Sequence, residues 1–164
     1  MIYRYIPGRM LSLIAFLVMY FADALHHRSV NNSLIVSTAS NFTGGEVCSS
    51  IGALATNFVV SLDNDTPSQG ANVTTTFDFD LAAPIMGGTA YYSATLNGLG
   101  PFSSNAPLCD ETAKTGDPCP LGIGHHHEES TTTNTVSGKV VTTITWYDQV
   151  GAEILCARIT TKST

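Results

Sequence analysis

Between positions 71 and 81 the chain alternates without a slip, Ala71, Val73, Thr75, Phe77, Phe79 and Leu81 against Asn72, Thr74, Thr76, Asp78 and Asp80. A period of two sends successive side chains to opposite faces of an extended strand, so one face meets a core and the other meets water. Runs of the same kind lie at 54–62, 88–97, 139–147 and 152–160, divided by turn signals at 64–70, 84–88, 97–98 and 148–151. Short strands at this spacing, with no long amphipathic helix between them, predict an all-β fold, an immunoglobulin-like antiparallel β-sandwich of two sheets. No internal repeat is visible.

Composition narrows what such a sandwich does. Only 12% of the 164 residues are charged and the net charge is −6, which leaves no basic field for a phosphate backbone and argues against nucleic acid as a partner. Ser and Thr fill the polar surface instead, in runs such as Thr74-Thr75-Thr76, Thr131-Thr132-Thr133 and Thr142-Thr143. These residues are neutral, hydrated and β-favouring, as in a secreted β protein.

The first 24 residues carry the matching address. Arg4 and Arg9 precede an apolar run at 11–21, and Ala22-Asp23-Ala24 forms a small-x-small cleavage site. The run is well short of the ~20 residues that span a bilayer, so 1–24 is expected to be a signal peptide rather than an anchor. Its removal takes Arg4, Arg9 and Asp23 away and moves the net charge from −6 to −7. A polar arm at 25–45 follows, with His26 and His27, and the folded domain is expected at 46–164.

In an oxidising compartment an even number of cysteines reads as disulfides. Cys48, Cys109, Cys119 and Cys156 allow three pairings, of which one bridge joining the ends of the domain and one closing the 110–118 loop is the simplest. Zinc is disfavoured because no C-x2-C or C-x4-C spacing occurs. Four N-x-S/T sequons begin at Asn31, Asn41, Asn64 and Asn72, and Asn64 is the best glycosylation candidate because it sits in a turn-forming stretch.

His125-His126-His127-Glu128-Glu129 is the most conspicuous polar cluster. On a strand, His125 and His127 share a face and offer two metal ligands while His126 points away. A closed site needs a third or fourth ligand, so the favoured reading is a solvated strand start or hairpin edge with no metal. Asp78 and Asp80 lie on the polar face of the alternating strand, where solvated carboxylates are expected. No G-x-S-x-G elbow and no H-E-x-x-H helix motif is present, so neither catalysis nor a cofactor is indicated. A secreted sandwich without catalytic groups is either a carrier of apolar ligands or an adhesive, structural surface module filled by its own side chains.

The second half separates the two. Pro101-Phe102, Leu108-Cys109, Cys119-Pro120-Leu121-Gly122, Gly138-Lys139-Val140, Trp146-Tyr147-Asp148 and Ile154-Leu155-Cys156 follow in an order that resembles the ML (MD-related lipid-recognition) domain family, which includes the Niemann-Pick type C cholesterol-transfer protein and phosphatidylglycerol/phosphatidylinositol transfer proteins. The resemblance covers about positions 46–159. It implies bridges Cys48–Cys156 and Cys109–Cys119, a non-enzymatic lipid-binding and lipid-transfer function, and a sterol or phospholipid between two sheets in the secreted or endolysosomal (vacuolar) lumen. It also implies transient contact with membrane surfaces and delivery to an acceptor that the residues do not name. Two departures stand out. The stretch 62–70 lacks the cysteines of the small extra disulfide found in cholesterol-transfer members, and the His triplet replaces an aromatic-rich strand start.

Apolar side chains facing the space between the sheets would let a lipid escape water at about 25 cal/mol per Å². The expected lining is Phe58, Val60, Val73, Phe77, Phe79, Tyr92, Leu96, Leu99, Phe102, Ile144 and Trp146, each of which also fits plain core. Leu99 and Phe102 beside Pro101 are expected in a non-strand apolar loop forming a portal. The five histidines, ionising near pH 6.5 when unperturbed, are expected to offset the acidic charge as pH falls to about 5 and to favour contact with anionic membranes.

Overall fold

A computed structural model describes residues 44–163. The expected signal peptide, most of the expected polar arm, His26, His27 and the sequons at Asn31 and Asn41 lie outside these residues. The alternating segment forms β3 (Asn72–Leu81), with Val73, Phe77, Phe79 and Leu81 buried and the intervening residues more open. It is flanked by β2 (Ala55–Leu62) and β6 (Gly124–Thr133) in a three-stranded sheet of order β2-β3-β6. The facing sheet runs β1-β8-β7-β4-β5, from β1 (Gly45–Val47), β8 (Glu153–Ser163), β7 (Gly138–Asp148), β4 (Gly88–Leu96) and β5 (Leu99–Pro107). All pairings are antiparallel. The expected all-β sandwich is therefore the observed fold.

Two elements correct the sequence reading. The segment expected as a portal loop is strand β5, because Asn97 and Gly98 take φ of 52° and 81° and make a two-residue hairpin turn. The chain returns at once along β4, Leu96 beside Leu99 and Ala94 beside Phe102. The stretch expected as a loop after Cys109 begins as a helix, α1 (Leu108–Thr115). Asp110 and Glu111 occupy its first turn, Lys114 its last, and Gly116 ends it at φ 100°, a left-handed conformation that suits glycine. Leu108 and Thr112, one turn apart, are its buried residues.

The core is aromatic. Phe58 meets Phe77 and Phe79 edge-on at centroid distances of 5.5 and 6.4 Å, and Trp146 approaches the same two rings at 5.9 and 6.0 Å. Leu62, Leu108, Leu121, Ile154 and Leu155 complete it, all fully buried. Both expected disulfides are formed. Cys48–Cys156 ties the exit of β1 to β8 across a Cα–Cα distance of 4.9 Å, and Cys109–Cys119 ties α1 to the chain entering β6 across 5.2 Å.

Candidate functional site

The sheets are packed together where β1 and β8 face β2, and stand apart where β6 faces β7 and β4. There they leave a cavity of about 190 Å³. Its apolar wall alternates along the strands: Val73 and Phe77 of β3, Val140, Ile144 and Trp146 of β7, and Ile159 of β8. Threonine fills many of the remaining positions, with Thr75, Thr132, Thr142 and Thr161 in the wall. A Val-sized residue with one hydroxyl supports a strand but reaches only a short way across, so the opposing walls do not meet.

Of the residues expected in the lining, Val73, Phe77, Tyr92, Ile144 and Trp146 border the cavity. Val60 and Phe79 are buried in the adjoining core and Phe58 packs against it. Leu96, Leu99 and Phe102 belong to the β4–β5 hairpin and do not border this cavity; Leu99 is 70% exposed. The strand continuing past the Asn97-Gly98 turn moves the proposed portal out to the sheet edge.

What the sequence reading missed is one polar end. Glu111, Lys114 and Thr115 of α1 meet Tyr92 and Glu128 there. The Tyr92 hydroxyl donates to Glu111 Oε2 at 2.8 Å, and Lys114 Nζ donates to Glu111 Oε1 at 2.9 Å. Burial and then the Glu111 charge push the Tyr92 phenol well above its usual range, so it stays a donor. Glu128 is buried on β6 directly beside Phe77. Burial first, and the Asp117 carboxylate second, raise its pKa to about 7. Thr115 Oγ1 lies against both Glu128 Oε2 and the Thr112 carbonyl, the latter at 2.8 Å. A hydroxyl has one hydrogen and a carbonyl only accepts, so a proton on Glu128 completes the pair. The signal was legible as period two: if His125 and His127 face solvent, His126 and Glu128 face inward.

The histidines divide accordingly. His125 and His127 lie on the exposed outer face beside Asp80 and Asp78, at 3.1 and 2.6 Å. Hydrogen bonds from Asn57 and then from His125 lower the pKa of Asp80. His126 is buried and stacked on Phe79, with Nε2 donating to the Gly122 carbonyl at 2.8 Å and Nδ1 at 2.5 Å from Asp117. Burial opposes its charge, but the Gly122 bond and Asp117 outweigh burial and raise its pKa. It is thus committed to an internal ion pair rather than to the solvent-facing charge expected of all five histidines. Asp117, His126 and Glu128 each offer an atom within 4.8 Å of the others. Both His126 nitrogens are already engaged, so the trio reads as an ion pair beside a protonatable carboxyl, not as an open ligand set.

Two antiparallel sheets enclosing a partly apolar cavity, with a disulfide-stapled helix at one end, define a cavity-bearing β-sandwich. The family model of the ML domain matches residues 46–163, and the chain belongs to that family. Among solved structures the chain is similar to a Niemann-Pick type C2 protein from the Japanese carpenter ant, at 12% identity and TM-score 0.55, covering 73% of this chain and 98% of that one. It is also similar to chicken MD-1 complexed with lipid IVa, at 19% identity and TM-score 0.52, covering 72% and 86%. At these identities the likeness is one of fold. Among curated proteins, none matches the chain.

Proposed function

We propose that this protein is a non-enzymatic lipid carrier that holds the apolar part of its cargo between the two sheets. The observation that carries this reading is the cavity itself, walled by Val73, Phe77, Val140, Ile144, Trp146 and Ile159 and set beside a core already filled by Phe79, Leu62 and Leu155. Apolar surface in such a space gains from a ligand that leaves water with it. Membership of the ML domain and the fold shared with a protein solved with lipid IVa support the same conclusion. Two disulfides, the expected leader at 1–24 and the sequons support a secreted or endolysosomal setting; Asn64 lies in the 63–71 connection and Asn72 opens β3.

The test is organic extraction and mass spectrometry of the purified protein, followed by uptake of a fluorescent sterol and a fluorescent phospholipid. A co-purifying lipid, or saturable uptake of either probe at one site per chain, is the expected outcome. A protein that carries no lipid and takes up neither probe is instead an adhesive or structural module.

A further inference from the structure

The outer face of the three-stranded sheet carries a side-chain cluster that the cavity does not use. His125 and His127 alternate along β6, and Asp80 and Asp78 are their cross-strand partners on β3. The spacing of the histidines alone offers two metal ligands, and sheet pairing supplies a third. Asp78 Oδ1 lies 2.6 Å from His127 Nδ1 and 3.7 Å from His125 Nε2, so one oxygen stands between the two rings. Ligand atoms held roughly 2.0–2.2 Å from a tetrahedral ion are about 3.4 Å from one another, a value that the two distances bracket.

His125 is also oriented from behind. Its Nδ1 is 3.1 Å from Asp80 Oδ1, and Asn57 Nδ2 donates to Asp80 Oδ2 at 2.7 Å. A carboxylate that accepts from Nδ1–H fixes the tautomer and leaves Nε2, the nitrogen nearer Asp78, with its lone pair free. Asn57 takes φ of 52° where the β2–β3 register shifts between Thr56 and Val59. Such a bulge re-aims a side chain, here toward Asp80.

We propose that His125, His127 and Asp78 bind a divalent transition-metal ion of the zinc class on this face, with Asp80 and Asn57 as positioning residues. The ion takes the place of the proton between His127 Nδ1 and Asp78 Oδ1, and that proton goes to solvent. His125 Nε2 fills the third position and water the fourth. Two imidazoles with a carboxylate suit zinc, whereas calcium and magnesium take oxygen ligands. Asp78 and Asp80 give the face the negative charge that a dication needs. The side chains of His125 and His127 are 64% and 57% exposed, so both rings can turn onto one ion without leaving a packed position. The buried Asp117, His126 and Glu128 are a separate group, because alternation along β6 sends His126 and Glu128 to the other side of the sheet.

The test is calorimetric titration of zinc and of calcium into untagged protein stripped with EDTA, its disulfides intact. Zinc should saturate at one ion per chain, and calcium should not bind. Asp80→Ala should weaken zinc about tenfold, the loss expected of an outer-shell partner, and Asp80→Asn, which keeps an acceptor oxygen, should weaken it less. His125→Ala, His127→Ala and Asp78→Asn each remove a ligand and should cost more than Asp80→Ala. These residues stand at the surface, so unfolding midpoints measured without zinc verify that each variant is folded. Asp117→Asn, which alters the buried group, and His26→Ala/His27→Ala should leave the affinity unchanged. The proposal falls if zinc does not bind, if calcium binds equally well, or if Asp117→Asn abolishes zinc binding while the surface variants keep it. The carrier reading stands apart from all three results.

Discussion

The two halves of the sandwich are built from the same kinds of strand but end differently. Where β2 lies over β1 and β8, long side chains reach across: Phe58, Val60, Leu62, Leu155 and the small Ala157 fill the space, and Cys48–Cys156 fixes the edge. Where β6 lies over β4 and β7, the inward residues include the short Thr142, Ser130 and Thr132 among Val140, Ile144 and Trp146, and α1 bridges the opening. Gap or core is decided by side-chain reach, not by backbone topology. The packed half supplies stability, which leaves the other half free to hold a ligand.

The largest effect should come from the edge of the packed half. Cys48 and Cys156 are 108 positions apart and Cys109 and Cys119 are 10 apart. On the chain-entropy estimate a bridge closing about 100 residues stabilises by ~4.7 kcal/mol and one closing about 15 by ~3 kcal/mol. Urea unfolding of Cys48→Ser/Cys156→Ser should therefore show a loss greater by ~2 kcal/mol than that of Cys109→Ser/Cys119→Ser. The second variant should instead lose ligand affinity, because its bridge holds α1 at the polar end. Equal stability losses would mean that the two halves are anchored alike.

Acidity acts on the open half and has the next largest effect. Glu128 ionises at about 7 when folded against a reference of 4.5, so between those values the unfolded state has already released a proton that the folded state keeps. Stability therefore falls as pH rises through this window. His126, raised from 6.5, has the same sign: its contribution is complete below 6.5 and lost as pH rises through its folded value. Asp80, lowered from 3.8, acts oppositely and only under more acidic conditions. Thermal unfolding should give a higher midpoint at pH 5 than at pH 8, the underlying difference in stability being on the order of 3 kcal/mol at most at ~1.4 kcal/mol per tenfold change in proton affinity. Glu128→Gln should flatten most of the dependence. A midpoint that rises with pH would show that the carboxyl is ionised and paired instead.

The packed half was legible because alternation and cysteine placement are local signals. Phe79 and Leu81 follow from period two, and the family resemblance supplied the disulfide pairing. The open half was less so. Its walls use threonines that read as surface residues in a Thr-rich chain, and whether Thr142 faces solvent or cavity depends on sheet pairing with Ala94 and Ile159. The helix carries its own signals in Asp110, Glu111 and Gly116, but at eight residues it is too short for a periodic pattern. The β4–β5 hairpin was half legible: Asn97-Gly98 marks the turn, while Leu99-Gly100-Pro101 disguises the strand that follows. Glu128 was legible only as a parity argument, since an acid in a run of His and Glu looks solvated until its strand has a face.

The smallest effect on stability gives the sharpest contrast in function. Ala157 is fully buried in the packed half, and Thr142 lines the cavity in the other. Ala157→Phe inserts a ring where no space exists and should cost about 3 kcal/mol through displaced side chains and backbone. Thr142→Phe makes a comparable addition of bulk but points it into a cavity of about 190 Å³. There it removes a hydroxyl and gains contacts with Ile144 and Ile159, the neighbours that line the same space, so its stability should stay within ~1 kcal/mol of the native protein. Its uptake of a fluorescent lipid should fall by at least about tenfold, because the ring takes the volume that the acyl chain or sterol needs. A Thr142→Phe protein as destabilised as Ala157→Phe would mean that the open half is packed in solution. One that is stable and still loads lipid would place the ligand elsewhere.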